Sequence, residues 1–325
     1  MTTPALTLAP SASDRGPLDL LRAPLPAVSR PGARLTVLDT TEWFAPTSGG
    51  IRTYLLQKEL YVASRPWLRH ALVVPWSTDG IVEREGARWY EFAGPRVPRN
   101  PPYRLLTSVA RMRRVLDLER PDIIELGSPA IVPWVLFRAL GTRDVPIVNF
   151  FHSHFPALLG GSARPIPPLR QRLAEAAWWY ARRMDRHVSA TIAASRFVAD
   201  DLERAGIPNV VRIPLGVDLE HFTPERRAHA AETRAAWRLP ADGPLVTYIG
   251  RFAHEKELDV LMDAWATIQR RTGASLVMAG DGPEKAALQG RVKGPSSSLA
   301  AVPRGPGAAC RSAGGIECLH GHQPA

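Results

Sequence analysis

Cysteine, lysine and long apolar runs are scarce in this sequence, and each scarcity excludes a class of protein. Its 325 residues include only two cysteines, Cys310 and Cys318, which excludes a disulfide framework and favours a reducing compartment. No run of about 18 uncharged apolar residues occurs, so no transmembrane helix is predicted. The first residues lack a basic start followed by an apolar stretch, so no secretory signal is predicted. We therefore expect a cytoplasmic protein, with a peripheral position at the inner face of the membrane as a second option.

Basic residues outnumber acidic ones by 41 to 31, and the excess lies in one part of the chain. Residues 34–215 hold 25 basic and 17 acidic residues, whereas residues 216–290 hold 9 and 11. A basic half is typical of a protein that meets an anionic partner, such as a phosphorylated substrate, an anionic membrane surface or nucleic acid. The alternative is a solvated arginine-rich surface, since only four of the basic residues are lysine. No nucleic-acid-binding motif accompanies the charge, so no specific nucleic acid is expected.

Short apolar runs alternate with amphipathic stretches from Arg34 onward, which predicts parallel β-α-β units. The predicted strands lie at 34–40, 70–76, 122–126, 145–151, 190–195, 210–218, 244–250 and 274–280. The predicted helices lie at 51–64, 103–119, 130–140, 169–185, 196–206, 224–239, 257–271 and 281–290. This rhythm divides the chain into a flexible leader at 1–33, a first α/β domain at 34–215, a partial second domain at 216–290 and a tail.

The tail, residues 291–325, has a different composition. Twenty of its 35 residues are glycine, alanine, proline or serine, and neither a helical nor a strand period survives. We predict an unstructured, aberrant tail of the kind that a frameshift produces, and a second domain that is incomplete.

Two loops of the first domain carry candidate site residues, because ligands of doubly wound folds bind beyond the carboxyl ends of the strands. Gly49 and Gly50 precede the first helix, where backbone can come close to a ligand and free N–H groups can face an anion. The alternative is an ordinary turn. His152 follows a predicted strand, and an imidazole there can orient a hydroxyl or exchange a proton. The alternative is a histidine that caps the end of the strand.

Two loops of the second domain are also candidates. Arg251 and Lys256 stand between a strand and a helix, where two cations can hold a diphosphate or pair with neighbouring glutamates. The sequence Gly280-Asp281-Gly282 is a tight turn in the corresponding place after the next strand. A third group, Cys310, Cys318, His320 and His322, has zinc-binding residue types but irregular spacing. We expect no metal site and no cofactor.

Six pieces in order resemble the family-4 retaining glycosyltransferases of the GT-B fold, also called glycosyltransferase group 1. They cover roughly residues 34–290 and read SGGIRTYL, FHSHFP, ATIAASRFVADDL, IPLGVDLEHFTP, YIGRFAHEK and MAGDGP. The resemblance implies two Rossmann-like domains that face each other across a cleft. It places the acceptor on the first domain and a nucleotide diphosphate sugar on the second.

The resemblance also implies roles for individual residues. Arg251 and Lys256 match the pair that neutralises the donor diphosphate, and His152 matches the histidine that contacts the donor sugar. Gly50 matches the glycine of a loop that contacts phosphate or acceptor. Gly216 and Asp218 match the segment that enters the cleft. Gly250, Gly280, Asp281 and Gly282 complete the predicted substrate-binding set.

Two departures from the family pattern stand out. Glu257 occupies a position where the family usually has glycine, and the base- and ribose-binding part of the family is not found after Gly290. The resulting hypothesis is a hexosyltransferase, for mannose or glucose, that uses a GDP- or UDP-sugar and a lipid or glycan acceptor and is impaired as written. The alternative is a non-catalytic protein that binds membrane or acceptor through its basic first domain.

Overall fold

In a computed structural model, the chain is described at residues 33–45, 49–84, 86–98, 103–162, 167–237 and 239–291, and at two short strands beyond them. The chain divides into two compact units between Gly216 and Val217, one residue after the predicted boundary. Among the described residues, no helix is both long enough and apolar enough to cross a membrane.

The first unit is built on an eight-stranded sheet with the order β3-β4-β2-β1-β5-β6-β7-β8. All neighbouring strands run parallel except β3 and β4, which form an antiparallel hairpin. The strands are β1 (Leu35–Thr40), β2 (Leu68–Trp76), β3 (Gly80–Arg84), β4 (Ala87–Ala93), β5 (Ile123–Leu126), β6 (Ile147–Phe150), β7 (Ala190–Ala193) and β8 (Val210–Arg212).

In the described part of this unit, six helices connect the strands. They are α1 (Gly50–Ala63), α2 (Val109–Glu119), α3 (Val132–Leu140), α4 (Phe155–Ser162), α5 (Pro167–Asp185) and α6 (Arg196–Arg204). Helix α2 begins six residues later than predicted, because the Ser108 hydroxyl accepts a hydrogen bond from the Arg111 amide at 3.3 Å and so caps the helix there.

The main core of the first unit lies between the sheet and helices α2 and α3. Leu38, Ile124, Leu126 and Leu136 have no measurable exposure, as have several of their neighbours. Strand β2 is buried along all but its last residue, as expected for a central strand of a parallel sheet covered on both faces. This rigid frame leaves function to the loops at the carboxyl ends of the strands.

The second unit contains a four-stranded sheet with the order β12-β11-β10-β9. Its strands are β9 (Leu245–Ile249), β10 (Ser275–Ala279), β11 (Ser297–Ala300) and β12 (Cys318–Leu319), and only the last pair is antiparallel. The helices are α7 (Ala230–Ala236), α8 (Leu258–Thr272) and α9 (Lys285–Arg291), with single 3-10 turns at Pro224–His229 and His254–Lys256. Phe252, Trp265 and Leu276 lie at the centre of its core.

Further features differ from the sequence analysis. The β3–β4 hairpin was not predicted; its chain reverses at Gly86, which has a φ of 74°. Helix α4 was also not predicted. The prediction of a wholly unstructured tail was wrong at two places, since residues 297–300 pair with β10 and residues 318–319 pair with β11. An uncovered edge of a parallel sheet offers unpaired N–H and C=O groups to any nearby segment, which explains the added strands.

Candidate functional site

His152 lies directly after β6, at the carboxyl edge of the first sheet. Its ring stacks on Phe150, with centroids 3.8 Å apart and planes 24° apart, and meets the edge of Tyr54 at 5.2 Å. Neither ring nitrogen of His152 has a hydrogen-bond partner among the described residues. The imidazole therefore has both nitrogens available for a ligand. It shares a small pocket with Trp43, Gly127, Pro129, Asn149, Phe150, Phe151, Ser153, Phe155 and Met184.

The surroundings of His152 keep its ring neutral at physiological pH. Burial lowers the pKa of His152 to about 4, Asp39 acts in the opposite direction and Lys58 adds to the lowering. A neutral imidazole carries one donor and one acceptor nitrogen, so it can orient a substrate hydroxyl in either sense.

His154, two residues later, has a structural role. Its Nε2 lies 2.9 Å from Asp201 Oδ2, and its Nδ1 accepts a hydrogen bond from the Ala157 amide at 3.2 Å. It thus ties the start of α4 to α6. His152 and His154, which only Ser153 separates in the sequence, therefore have different roles, since only His152 is left for a ligand.

Gly127 forms the wall of the pocket opposite His152. A Cβ at this position would lie 3.2 Å from the Thr41 Cβ and 3.6 Å from the His152 Cδ2. The Thr41 hydroxyl also donates a hydrogen bond to the Gly127 carbonyl at 3.2 Å. Glycine at 127 therefore keeps open the space beside the imidazole.

Glu42 fixes the loops around this pocket. It is fully buried, and its carboxylate accepts hydrogen bonds from the amides of Leu106 at 3.3 Å and Ile131 at 2.9 Å. Its own amide donates to the Ser128 hydroxyl at 3.0 Å. Burial raises the pKa of the Glu42 carboxyl, and the position of that carboxyl at the start of α3 favours a negative charge.

A group of charged side chains lies beneath helix α1. Lys58 Nζ is 2.8 Å from Asp39 Oδ1 on β1 and 2.8 Å from Glu125 Oε2 on β5. The Tyr54 hydroxyl contacts both Glu125 oxygens, at 2.9 and 3.0 Å. His70 on β2 contacts Asp39 through Nε2 and is fully buried. We call Asp39, Tyr54, Lys58, His70 and Glu125 the α1 charge cluster.

The cluster sets strong electrostatic preferences. Burial raises the pKa of Glu125, and Asp39 raises it further. Burial also acts to raise the pKa of Asp39, but Lys58 and His70 outweigh it and lower that pKa to about 2. Asp39 is therefore an anion, and its negative charge favours the protonated form of Lys58.

The two glycine-rich loops of the second unit pack against each other. A Cβ on Gly280 would lie 1.9 Å from the Gly250 carbonyl oxygen, and a Cβ on Gly282 would lie 2.2 Å from the Phe252 carbonyl oxygen. The Phe252 amide donates a hydrogen bond to the Asp281 carbonyl at 2.9 Å. Glycine is thus required at both positions by close backbone approach, and the predicted loops after β9 and β10 are brought together.

Arg251 and Lys256 stand on the loop that these glycines fix. Both side chains are exposed. The Arg251 carbonyl accepts a hydrogen bond from the Tyr248 hydroxyl at 2.9 Å, and Lys256 ends a 3-10 turn. Glu257, which follows, has a φ of 48°, so it adopts the left-handed conformation that favours glycine. This backbone gives a physical reason for the glycine that the family usually has there.

The remaining predicted residues are exposed, in loops or, for Gly50, at the first position of α1. A Cβ at Gly49, Gly50 or Gly216 would meet nothing within 4 Å, so packing within the chain does not require glycine there. Asp218 caps a turn, since its Oδ1 accepts hydrogen bonds from the Glu220 amide at 3.0 Å and the His221 amide at 2.9 Å. Their roles toward a ligand stay predictions.

In the described part of the chain, no group of three or more His, Cys, Asp or Glu side chains is placed to hold a metal ion. The candidate zinc ligands Cys310, His320 and His322 lie outside the described residues, and only the backbone of Cys318 is described.

Sequence reasoning missed the α1 charge cluster and the wall at Gly127. One signal was present: Asp39 and Glu125 are acidic residues inside apolar strand patterns, and Tyr54 and Lys58 lie four residues apart on one helix. The pattern does not say which strands become neighbours, so it could not join these residues.

Two family profiles match the chain. The profile of Glycosyltransferase Family 4 matches residues 49–221, more than half of the chain, and that of Glycosyl transferases group 1 matches residues 230–294.

Curated relatives include two proteins of Mycobacterium tuberculosis. A GDP-mannose-dependent alpha-mannosyltransferase is 31% identical over 262 residues, which are 79% of this chain and 65% of that protein. A GDP-mannose-dependent alpha-(1-6)-phosphatidylinositol dimannoside mannosyltransferase is 30% identical over 268 residues, which are 80% of this chain and 66% of that protein. The chain thus spans slightly less than two thirds of the length of these relatives.

Solved structures with the same architecture include sucrose-phosphate synthase from Thermosynechococcus elongatus, with a TM-score of 0.59 at 17% identity over 82% of this chain and 70% of that one. The Anabaena protein HepE in complex with UDP-glucose gives a TM-score of 0.56 at 16% identity, over 82% of this chain and 69% of that one. At such identities the likeness shows the fold alone, and it confirms the predicted α/β class of two Rossmann-like domains.

Proposed function

Because the chain belongs to glycosyltransferase family 4, as its motifs predicted, we propose that it transfers a hexose from a nucleotide diphosphate sugar to an acceptor hydroxyl, with retention of configuration. Mannose from GDP-mannose is the proposed donor sugar, because the relatives from Mycobacterium tuberculosis carry that donor in their names. The proposed acceptor is a lipid or a glycan.

The proposed chemistry needs cations at the leaving group. The bond from the anomeric carbon to the diphosphate oxygen breaks, a bond from that carbon to the acceptor oxygen forms, and the departing diphosphate gains negative charge. The acceptor hydroxyl gives up its proton to the departing diphosphate or to water. Arg251 and Lys256 are the proposed partners of that charge, since preorganised cations stabilise a charge that develops in the transition state. The observation that carries this assignment is the close packing of Gly280 against Gly250, which fixes the loop bearing both cations.

His152 is the proposed contact for a sugar hydroxyl. Its ring is neutral, partly buried and without a hydrogen-bond partner among the described residues. Because Gly127 has no side chain, the Cδ2 edge of the His152 ring is not covered at that position.

An anionic membrane surface is the proposed location of the acceptor. The outer face of α5 supports it, because the Trp179 side chain is 59% exposed there and the Leu169 side chain 42%. Basic side chains with apolar neighbours on a helix are typical of binding to anionic lipid. The exposed arginines are Arg170, Arg172, Arg182 and Arg183 on α5 and Arg186 directly after it.

Donor turnover tests the central proposal. The full chain is incubated with GDP-mannose or UDP-glucose and an acceptor extract, and released nucleotide and transferred sugar are measured. Arg251→Gln and Lys256→Gln are each expected to lower kcat/KM by about 100-fold, whereas Arg270→Gln on the exposed side of α8 serves as the matched control. Absence of both binding and turnover with either donor in the wild-type chain contradicts the proposal.

Vesicle sedimentation tests the membrane proposal and the alternative function together. Binding is expected to vesicles with anionic lipid and not to neutral ones, and to weaken in Trp179→Ala and Arg183→Gln but not in the control Arg226→Gln, which is exposed in the second unit. Vesicle binding without donor turnover favours the non-catalytic alternative. If the chain binds nucleic acid as strongly as anionic vesicles and loses that binding at moderate salt, its basic residues bind anions only through nonspecific electrostatics.

A further inference from the structure

The α1 charge cluster lies next to His152, yet the proposed chemistry does not use it. Asp39 is 2% exposed and the Glu125 side chain 12% exposed, so two carboxylates and an ammonium group have left water. Removing such groups from water is costly, and apolar side chains of similar size often give equal or better stability in the same place. The cluster therefore calls for an explanation other than stability.

Two residues of helix α1, Tyr54 and Lys58, bind the carboxylate of Glu125 on β5. Tyr54 and Lys58 are four residues apart, so they lie one above the other on the same helix face. The Tyr54 hydroxyl donates to Glu125 at 2.9 Å, and Lys58 Nζ donates to the same carboxylate at 2.8 Å. These contacts fix both the rotation of α1 and its position along β5. Gly50, the first residue of the helix, is one turn before Tyr54.

The ring of Tyr54 also determines what surrounds His152. Tyr54 meets Phe150 edge-on at 5.0 Å and His152 at 5.2 Å, while His152 stacks on Phe150 at 3.8 Å. No described side chain orients the imidazole through a hydrogen bond. Its orientation depends on these two aromatic rings, and only Tyr54 is anchored by its own polar group.

We propose that Tyr54 is a positioning residue for His152, held by its hydrogen bond to Glu125 and, through Glu125, by Lys58 and Asp39. The hydrogen bonds and ion pairs of the α1 charge cluster hold the Tyr54 ring in one position. That ring sets the angle at which the imidazole meets a ligand. This inference rests on the proposed role of His152 toward a sugar hydroxyl, but the placement of the ring can be measured without any turnover.

The test compares two tyrosine-to-phenylalanine variants of the same helix in the full chain. Tyr54→Phe removes only the anchoring hydroxyl, whereas Tyr61→Phe makes the same change on the outer face, where the side chain is 52% exposed. The readout is the NMR signal of the His152 Cε1–Hε1 group, assigned by its loss in His152→Gln. In Tyr54→Phe we expect the signal to shift or double, because the ring that packs against the imidazole is no longer anchored. In Tyr61→Phe we expect the wild-type signal.

Turnover gives a second readout that a merely structural role would not produce. In Tyr54→Phe, kcat for transfer from GDP-mannose is expected to fall by about 10-fold with little change in KM, since a misplaced group costs rate more than binding. If the His152 signal moves but the wild-type chain shows no transfer, the proposed function is wrong and the positioning role stands. If the signal in Tyr54→Phe matches that in Tyr61→Phe, the positioning role is wrong.

A second pair of variants covers failure of Tyr54→Phe to fold. Glu125→Gln keeps an oxygen that accepts from the Tyr54 hydroxyl, so we expect the wild-type His152 signal. Glu125→Ala removes that acceptor, so we expect the displaced signal. Identical His152 signals in the two Glu125 variants overturn the inference.

Discussion

Replacement of Lys58 by methionine tests how far the buried carboxylates depend on their shared cation. Lys58 Nζ lies 2.8 Å from an oxygen of each carboxylate, and the Lys58 side chain is itself only 18% exposed. Methionine fills a similar volume without the charge, which leaves Asp39 and Glu125 facing each other. Removing one partner of a buried ion pair costs about 3–5 kcal/mol. Since a domain is stable by about 5–15 kcal/mol, much of the stability of the first unit is expected to be lost.

The same variant should change the response to acid. In the wild type, the pKa of Asp39 lies near 2, below its ordinary 3.8. A lowered carboxyl pKa contributes stability that is present above the ordinary value and is lost as the pH falls through the lowered one. Without Lys58 the lowering is smaller, so the loss should begin at a higher pH. Glu125, whose pKa burial and Asp39 already raise, should take up the first proton.

Urea unfolding followed by tryptophan fluorescence measures the effect, because seven of the nine tryptophans lie between residues 34 and 216. Lys285→Met is the matched control: its ammonium group lies 3.8 Å from an exposed aspartate, and such pairs contribute about 0–1 kcal/mol. Adding Glu125→Gln to Lys58→Met should restore part of the loss, since one uncompensated charge is removed. A loss of less than about 1 kcal/mol in Lys58→Met, or no recovery in the double variant, refutes the coupling.

Three further outcomes are expected. Glu257→Gly should stabilise the second unit by about 0.5–1 kcal/mol, because it relieves a left-handed backbone conformation at a non-glycine residue. Hydrogen exchange in α8 should then become slower, and unchanged exchange contradicts the prediction. Gly282→Ala should destabilise that unit by about 3 kcal/mol or more, because its Cβ would lie 2.2 Å from a carbonyl oxygen, whereas Gly216→Ala should have little effect; thermal unfolding of both variants decides. His152 should titrate near pH 4 by NMR, and a midpoint near 6.5 contradicts the burial argument. Because its pKa is lowered in the folded chain, the free energy of unfolding should decrease as the pH falls from about 6.5 to 4, and His152→Gln should remove this decrease.

Element type was predictable wherever local pattern decides it. The apolar run at β2 and the capped helix α6 follow from hydrophobic period and from Ser195, whose hydroxyl accepts from the Val198 amide at 3.3 Å. The hydrophobic pattern did not predict helix α4, because it indicated only a loop after His152. Helix α4 forms because His154 supplies its cap, and that cap is held by Asp201, 47 residues away.

The candidate site divides in the same way. Glycines at 250, 280 and 282 could be singled out from their places after predicted strands, since turn chemistry is local. Gly280 and Gly282 must be glycine because of a contact between two loops about 30 residues apart, which the sequence does not display, whereas a Cβ at Gly250 would meet the nearby Tyr248 hydroxyl at 2.9 Å. The role of Gly127 is equally tertiary, because the atoms that limit its side chain belong to Thr41 and His152.

The sequence alone was enough to predict the alternation of strands and helices, the family, and the loops that hold the candidate site residues, because period, caps and glycine motifs act over a few residues. The tertiary contacts were needed to show that His152 and not His154 is left for a ligand, and that Asp39 and Glu125 share Lys58. The physical reason is that the strengths of burial and charge pairing depend on distances in space. Strands β1 and β5 become neighbours only when residues more than 80 positions apart are paired in the sheet.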